Sequence, residues 1–448
     1  MQDLIDLRRA LAAGRTRSRD LVELCLERIA DPKGEGSRAF LSVAADRARR
    51  EADLVDEARK AGLPLTDYAG VPISVKDLFD VRGETTRAGS RVLGAHAPAK
   101  TDADAVAHLR RAGFIVIGRT NMTEFAYSGL GVNPHYGTPA SPFDRQTGRV
   151  PGGSTAGGAV AVADGLTPAT IGSDTGGSCR IPAAFCGITG FKPTSRRVSK
   201  RGAFPLSQTM DSVGPLASNV SSCAVLDDIL AGGGGADEVS FPESGLRLGV
   251  IEGYLDEGLD PEVAAAFSAA LTRLSQRGVR LKPVRLPELA ELPRINQKGG
   301  FVGAEAYALH RRRLEAEGEL YDPWVRGRIE AGGADQSAAD YLDLVHARAR
   351  VIAAVNERTR PFDALVTPTV AVIPPTLASV VDPEAARAIN LRCLRNANFV
   401  NFLDRTAISI PCHEEGGAPV GFQIVGETMS DRRLLAIARG LEGAIRGR

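Results

Sequence analysis

The sequence contains no run of about 18 apolar residues, the length that a membrane-spanning helix requires. Neither sign of charge dominates. Lys and Arg number 55 against 54 Asp and Glu, for a formal net charge of +1. Neither a nucleic acid nor an acidic membrane surface is therefore expected as a partner. The N-terminal stretch MQDLIDLRRALAAGRTRSRDLVELC is charged and amphipathic. It lacks an apolar core segment and a cleavage site, so no signal peptide is expected. The six cysteines (Cys25, Cys179, Cys186, Cys223, Cys393 and Cys412) are scattered, with no CxxC pair and no metal-ligand spacing. They read as reduced, partly buried thiols of a cytoplasmic protein. HExxH is missing, as is any Cys/His set, so no metal is expected. The fragment RVPGGSTAGG loosely suggests a phosphate loop but lacks the GK[ST] ending, and no nucleotide or other cofactor is expected. Only six histidines occur, none in a glycine-rich stretch. A Ser-His-Asp triad assembled from distant positions stays open, but no GxSxG nucleophile elbow is present.

Glycine is abundant. The chain has 49 glycines beside 26 prolines, and aromatics at only 5%, which implies many tight loops. The hydrophobic share of 43% and charged share of 24% are those of an ordinary soluble globular protein. At ~150 residues per domain, 448 residues suggest about three domains, but large α/β enzymes often run as one unit. Residues 1–448 are read as a single domain. Residues 1–65 are expected to be a helical segment packed on it, from leucines at helical spacing (Leu4, Leu7, Leu11, then Leu21, Leu24) and Ser18 as a helix start. TDADAVAHLRRAGFIVIGRT predicts a helix, a glycine stop and the buried strand FIVIG. Further strands are expected in GVPISVKD, TPATIGSD, LRLGVIEG, VRLKPVRLP, FDALVTPTV, TAISIPC and GAPVGFQIVG. Helices are expected in AGGAVAVADGL, DPEVAAAFSAALTRLSQRG and most of 300–360. AGGGGADE at 231–238 predicts a glycine-rich internal loop. This alternation predicts an α/β fold: one large mixed β-sheet covered by helices on both faces.

Three segments hold polar groups in unusual settings. GVPISVKD ends an apolar strand on Lys76, GGSTAGG carries Ser154, and GSDTGGSCRIPAAFCGITGFKPT carries Ser178. Each has a bland reading when taken alone. Lys76 could be an exposed strand end, Ser154 a turn residue and Ser178 a helix cap. A buried lysine, by contrast, has its pKa pushed down and becomes a general base.

Together the three segments resemble the amidase signature family. The similarity continues through MDSVGP, FDALVTPT and PVGFQIVG and so spans nearly the whole chain. The resemblance implies a catalytic set of Ser178, Ser154 and Lys76, whose spacing fits the family pattern. Ser178 is then the nucleophile toward an amide carbonyl. Ser154 relays its proton to Lys76, which must be neutral to accept it. The resemblance also implies a cis bond between Gly153 and Ser154, and an oxyanion hole from the N–H groups of Thr175, Gly176, Gly177 and Ser178. Asp174 is expected to hold this loop, in company with Arg180. The chain departs from the family pattern at Thr155 and Ala156, where further small residues are common, and at Cys179, which replaces a branched aliphatic residue.

NMTEFAYSGLG matches the segment bordering the acyl pocket, which makes Met122, Tyr127 and Ser128 candidate substrate-binding residues, with core packing as the alternative. Residues 295–350 and AVIPPTLASVV are expected at the pocket mouth, with Trp324 either on its rim or packed in a helix. No arginine cluster is evident for a carboxylate, although Arg180 and Arg326 are present. The expected activity is hydrolysis of a C–N bond in a small amide of the carboxamide, aryl amide or carbamate/urea type. The expected partner is that small molecule, with a homodimer possible. The alternative is the glutaminase component of a tRNA-dependent amidotransferase. A catalytically dead binding protein of the same fold is opposed by the intact Lys76, Ser154 and Ser178.

Overall fold

Eleven strands assemble into one sheet: β1 (Phe40–Val43), β2 (Pro72–Lys76), β3 (Ile115–Thr120), β4 (Ala169–Asp174), β5 (Thr189–Lys192), β6 (Ser212–Ala217), β7 (Arg247–Glu252), β8 (Arg280–Arg285), β9 (Ala364–Pro368), β10 (Ala407–Pro411) and β11 (Gly421–Val425). The computed structural model describes residues 3–235 and 239–447. The strand order is β1-β3-β2-β4-β6-β5-β10-β11-β9-β7-β8. β2 runs parallel to β3 and β4, and β7 parallel to β8 and β9. The remaining pairings are antiparallel, so the sheet is mixed, as expected.

Every residue of β2, β3, β4, β5, β6, β9, β10 and β11 is buried, which requires cover on both faces. β3 shows the two sides directly. Val116 joins one apolar cluster, with Val75, Ile171 and Phe191, while Ile115 and Ile117 join another, with Ala159, Val160 and Leu216. Side chains alternate across a strand, so these clusters lie on opposite faces. At the sheet edge β8 is mostly exposed and carries Lys282 and Pro283, residues that discourage further strand pairing.

The N-terminal segment differs from its expectation in one respect. It is largely helical (Leu4–Ala12, Ser18–Ala30, Ala45–Lys60), but Phe40–Val43 forms the edge strand β1 against β3. FLSV is too short for its period to be legible without a partner. Ser18 does open a helix, yet the cap comes from elsewhere: the Asp56 carboxylate accepts from the Ser18 and Arg19 N–H groups at 2.8 and 2.9 Å. Of the expected loop at 231–238, residues 231–235 follow the helix Val220–Leu230, while 236–238 lie outside the described residues. β5 and β6 were not evident in the sequence. Both contain glycine or proline, which obscures a short strand. No helix among the described residues is long and apolar enough to cross a membrane.

Candidate active site

Parallel pairing of β2 with β4 brings their C-terminal ends, Lys76 and Asp174, to the same side of the sheet. The loop after β4 carries Ser178, and the loop before the helix Ala156–Ala163 carries Ser154. The two loops are tied by the Thr155 N–H, which donates to the Ser178 carbonyl at 3.3 Å. The Gly153–Ser154 bond is cis. Gly153 has no room for a side chain: a Cβ there would lie 2.5 Å from the Gly131 nitrogen and 2.7 Å from the Ser128 carbonyl oxygen.

Lys76 is completely buried. Its Nζ lies 2.7 Å from Ser154 Oγ, 3.0 Å from Ser173 Oγ and 3.4 Å from the Ser173 carbonyl oxygen. No carboxylate pairs with it among the described residues. Burial pushes its pKa down to about 8. The neighbouring Cys179 thiol is itself pushed up by burial and stays neutral, so the opposing pull comes from the Asp174 and Asp211 carboxylates.

Ser178 is 4% exposed, and its hydroxyl makes no hydrogen bond among the described residues. Lys76 and Ser154 are thus joined, while the second leg, from Ser154 to Ser178, is open. Of the four N–H groups expected as an oxyanion hole, that of Gly177 donates to Asp174 Oδ1 at 2.9 Å. Gly177 is therefore not a free donor, which corrects the four-donor expectation. The N–H groups of Thr175, Gly176 and Ser178 have no acceptor among the described residues. Gly177 has φ +127°, and a Cβ there would meet Ala397 Cβ and Ile181 Cδ1 at 2.6 Å.

Asp174 has the expected holding role. Its carboxylate accepts from the Gly177 and Cys179 N–H groups, from Asn401 Nδ2 and from two nitrogens of Arg180, all within 3.1 Å. Burial alone would raise its pKa, but the Arg180 guanidinium outweighs burial and holds it well below the usual carboxylate range. Arg180 donates further to Ala397 O, Gln423 Oε1 and Asn401 Oδ1, so it has nothing left for a substrate. Arg326 is also occupied, by Glu319 and Glu330. Thr155 packs its methyl and hydroxyl in the space left by Gly172.

The three acyl-pocket candidates separate. Met122 is fully buried in the main apolar cluster, against Gly89. Ser128 bonds Asn390 Oδ1 at 3.1 Å and accepts from the Leu130 N–H. Tyr127 lies under the Arg328 guanidinium, 4.6 Å from its ring centroid, and the same guanidinium is 5.0 Å from the Trp324 ring. Arg328 was not singled out in the sequence, because nothing in YDPWVRGR distinguishes it from Arg326. It has no ion pair or side-chain hydrogen bond among the described residues. Ser173 was missed as well, although it sits in the nucleophile motif. Two surface cavities, of about 330 and 600 Å³, are lined by residues such as Arg87 and Arg119, and Phe143 and His413, and include none of this set.

Over residues 20–435 the chain matches the family described as Amidase. It belongs to the amidase signature family. The chain is 33% identical to the A component of the glutamyl-tRNA(Gln) amidotransferase of Synechococcus sp. (strain CC9605), over 98% of this chain and 95% of that protein. It is 36% identical to the 2-amino-5-chloromuconic acid deaminase of Comamonas testosteroni, over 89% of this chain and 87% of that protein. Among solved structures, an amidase superposes with a TM-score of 0.89 at 33% identity, covering 99% of each chain. The native peptide amidase of Stenotrophomonas maltophilia gives 0.82 at 26% identity, covering 99% of this chain and 97% of that one. The eleven-stranded sheet is thus the amidase signature fold, and the chain is an enzyme of the class acting on C–N bonds.

Proposed function

We propose that this amidase signature enzyme hydrolyses a small amide through an acyl-enzyme on Ser178. The observation that carries the reading is the buried Lys76 amine, 2.7 Å from Ser154 and without a carboxylate partner. Such an amine gives up its proton near neutral pH and serves as a base. The Ser178 hydroxyl makes no hydrogen bond among the described residues, which leaves it available to Ser154 in this reading. As Ser178 Oγ attacks the carbonyl carbon, its proton passes to Ser154 Oγ and the Ser154 proton passes to Lys76. The N–H groups of Thr175, Gly176 and Ser178 receive the oxyanion. The Lys76 ammonium then returns a proton through Ser154 to the leaving nitrogen, and the C–N bond breaks. Water attacks the ester by the same route, releasing the acid and restoring Ser178.

Arg328 supports a narrower substrate class. A guanidinium against the rings of Tyr127 and Trp324, with no ion pair among the described residues, is satisfied by an anionic group on the ligand. The reading therefore favours amides that carry a carboxylate on the acyl side. The test is a panel of carboxamides, anilides, ureas and carbamates, each with and without a carboxylate, scored by intact mass for an acyl adduct on Ser178. Turnover that leaves Ser178 unmodified under rapid quench, and that survives Ser178→Ala, removes the reading.

The relatives named as amidotransferase components favour a second reading, a glutaminase that needs a partner. Glutamine turnover only on adding a partner protein supports it, and turnover by the chain alone supports the stand-alone enzyme. A homodimer in the cytoplasm completes the first reading, and sedimentation of the pure protein checks the dimer.

A further inference from the structure

Asp211 lies just before β6, in the segment MDSVGP. It is 7% exposed. Its Oδ1 accepts from Thr175 Oγ1 at 2.6 Å, and its two carboxylate oxygens accept from the Leu206 and Ser207 N–H groups. Thr175 is the first residue of the nucleophile loop and offers one of its three free N–H groups. The loop that holds Asp211 is braced in turn. Ser207 Oγ and the Thr209 N–H donate to Glu305 at 2.7 and 3.1 Å, and the Tyr341 hydroxyl donates to Glu305 at 2.8 Å. The helices Gly300–Glu317 and Ala338–Thr359 thereby fix the position of Thr175 through Asp211.

Two carboxylates act on Lys76, and they are not equivalent. Asp174 is neutralised at 2.9 Å by Arg180. Asp211 has no ion pair among the described residues. Lys200 lies near it but donates to the Asp211 main-chain carbonyl at 3.3 Å rather than to the carboxylate. Around Lys76 the remaining groups are Ser154, Ser173 and the neutral Cys179 thiol.

We propose that Asp211 is a positioning residue of this site, which holds Thr175 for the oxyanion through the 2.6 Å hydrogen bond from the Thr175 hydroxyl. The inference rests on Lys76 being the base of the proposed hydrolysis. Burial pushes the Asp211 carboxyl up to about 6, so it is ionised throughout the range in which Lys76 titrates.

The test compares D211N and T175V with the parent enzyme across pH 6 to 10, on the best amide of the panel above. D211N removes the charge. Its kcat is expected to fall alongside that of T175V, because the carboxylate that anchors Thr175 to the 206–207 loop is lost. T175V removes only the hydroxyl. Its kcat is expected to fall roughly 10- to 100-fold while the midpoint stays put, as misplacement of a catalytic group does. Parental kcat in either D211N or T175V overturns the inference. If D211N fails to fold, T175V decides. Lys76→Ala separates the two levels: parental activity there removes the underlying reading, whereas an inactive Lys76→Ala beside parental kcat in D211N and T175V removes only the role of Asp211.

Discussion

The side-chain nitrogen of Lys76 sits 2.7 Å from the Ser154 hydroxyl, in a fully buried position with no carboxylate paired to it among the described residues. Most buried lysines are held charged by an acid. Here the neighbours are hydroxyls, so burial dominates and the pKa falls to about 8.

The pH dependence follows from that displacement. The neutral amine is the base, so kcat/KM is expected to rise with pH up to a midpoint near 8 and then level off. Lys76→Ala is expected to lose several orders of magnitude in kcat, and a pH-rate profile of the parent checks the midpoint. A rate unchanged from pH 6 to 10 speaks against an amine base.

Ser154→Ala leaves Lys76 and Ser178 in place but removes the atom between them. A loss of about 10²- to 10⁴-fold in kcat is expected, the range for removing an acid–base group. Stopped-flow measurement of the acylation burst locates the loss, which is expected in acylation and not only in product release.

Gly177→Ala places a Cβ 2.6 Å from Ala397 and Ile181 at φ +127°. A non-glycine residue held in such backbone costs of order 1–3 kcal/mol, before the clash is counted. The variant is expected to melt several degrees lower and to lose activity as the nucleophile loop shifts. Unchanged melting and kcat contradict tight packing at this position.

Asp174 and Arg180 form a fully buried pair, and breaking one by removing a partner typically costs about 3–5 kcal/mol. Arg180→Met is therefore expected to lower the urea midpoint sharply. The folded-state pKa of Asp174 lies below its unfolded value of 3.8. The stability it contributes is then fully present above about pH 4 and is lost as the pH falls further, because the unfolded chain takes up the proton first. Acid titration of the parent and variant, followed by circular dichroism, checks the difference.

Arg328→Gln keeps hydrogen-bonding capacity but removes the charge between Tyr127 and Trp324. For amides bearing a carboxylate, KM is expected to rise about 10- to 100-fold, the worth of a hydrogen bond to a charged group. Neutral amides are expected to be unaffected. Equal effects on both classes contradict an anion-binding role.

Much of this architecture was legible because its signals are local. Strands such as LRLGVIEG and TAISIPC are apolar runs bounded by turn residues, and DPEVAAAFSAALTRLSQ carries its own helix start. Strand β1 was not legible, because four residues show a period only beside a partner. The helix start at Ser18 was legible, whereas the Asp56 carboxylate that accepts from its N–H group lies 38 residues away.

The same division runs through the site. The motifs themselves determined which serines and which lysine to consider, while the need for glycine at 177 comes from both its backbone angle and the close approach of Ala397. Tertiary structure alone decided that Met122 belongs to the core, and that, among the described residues, Arg328 and not Arg180 or Arg326 is the guanidinium left unpaired. The physical reason is that hydrogen bonds and charge pairs are satisfied by whatever lies within a few ångströms. Asp211 reaches Thr175 from 36 positions away, and Gln423 reaches Arg180 from 243, only once the sheet has formed. Distance along a chain carries no record of that meeting.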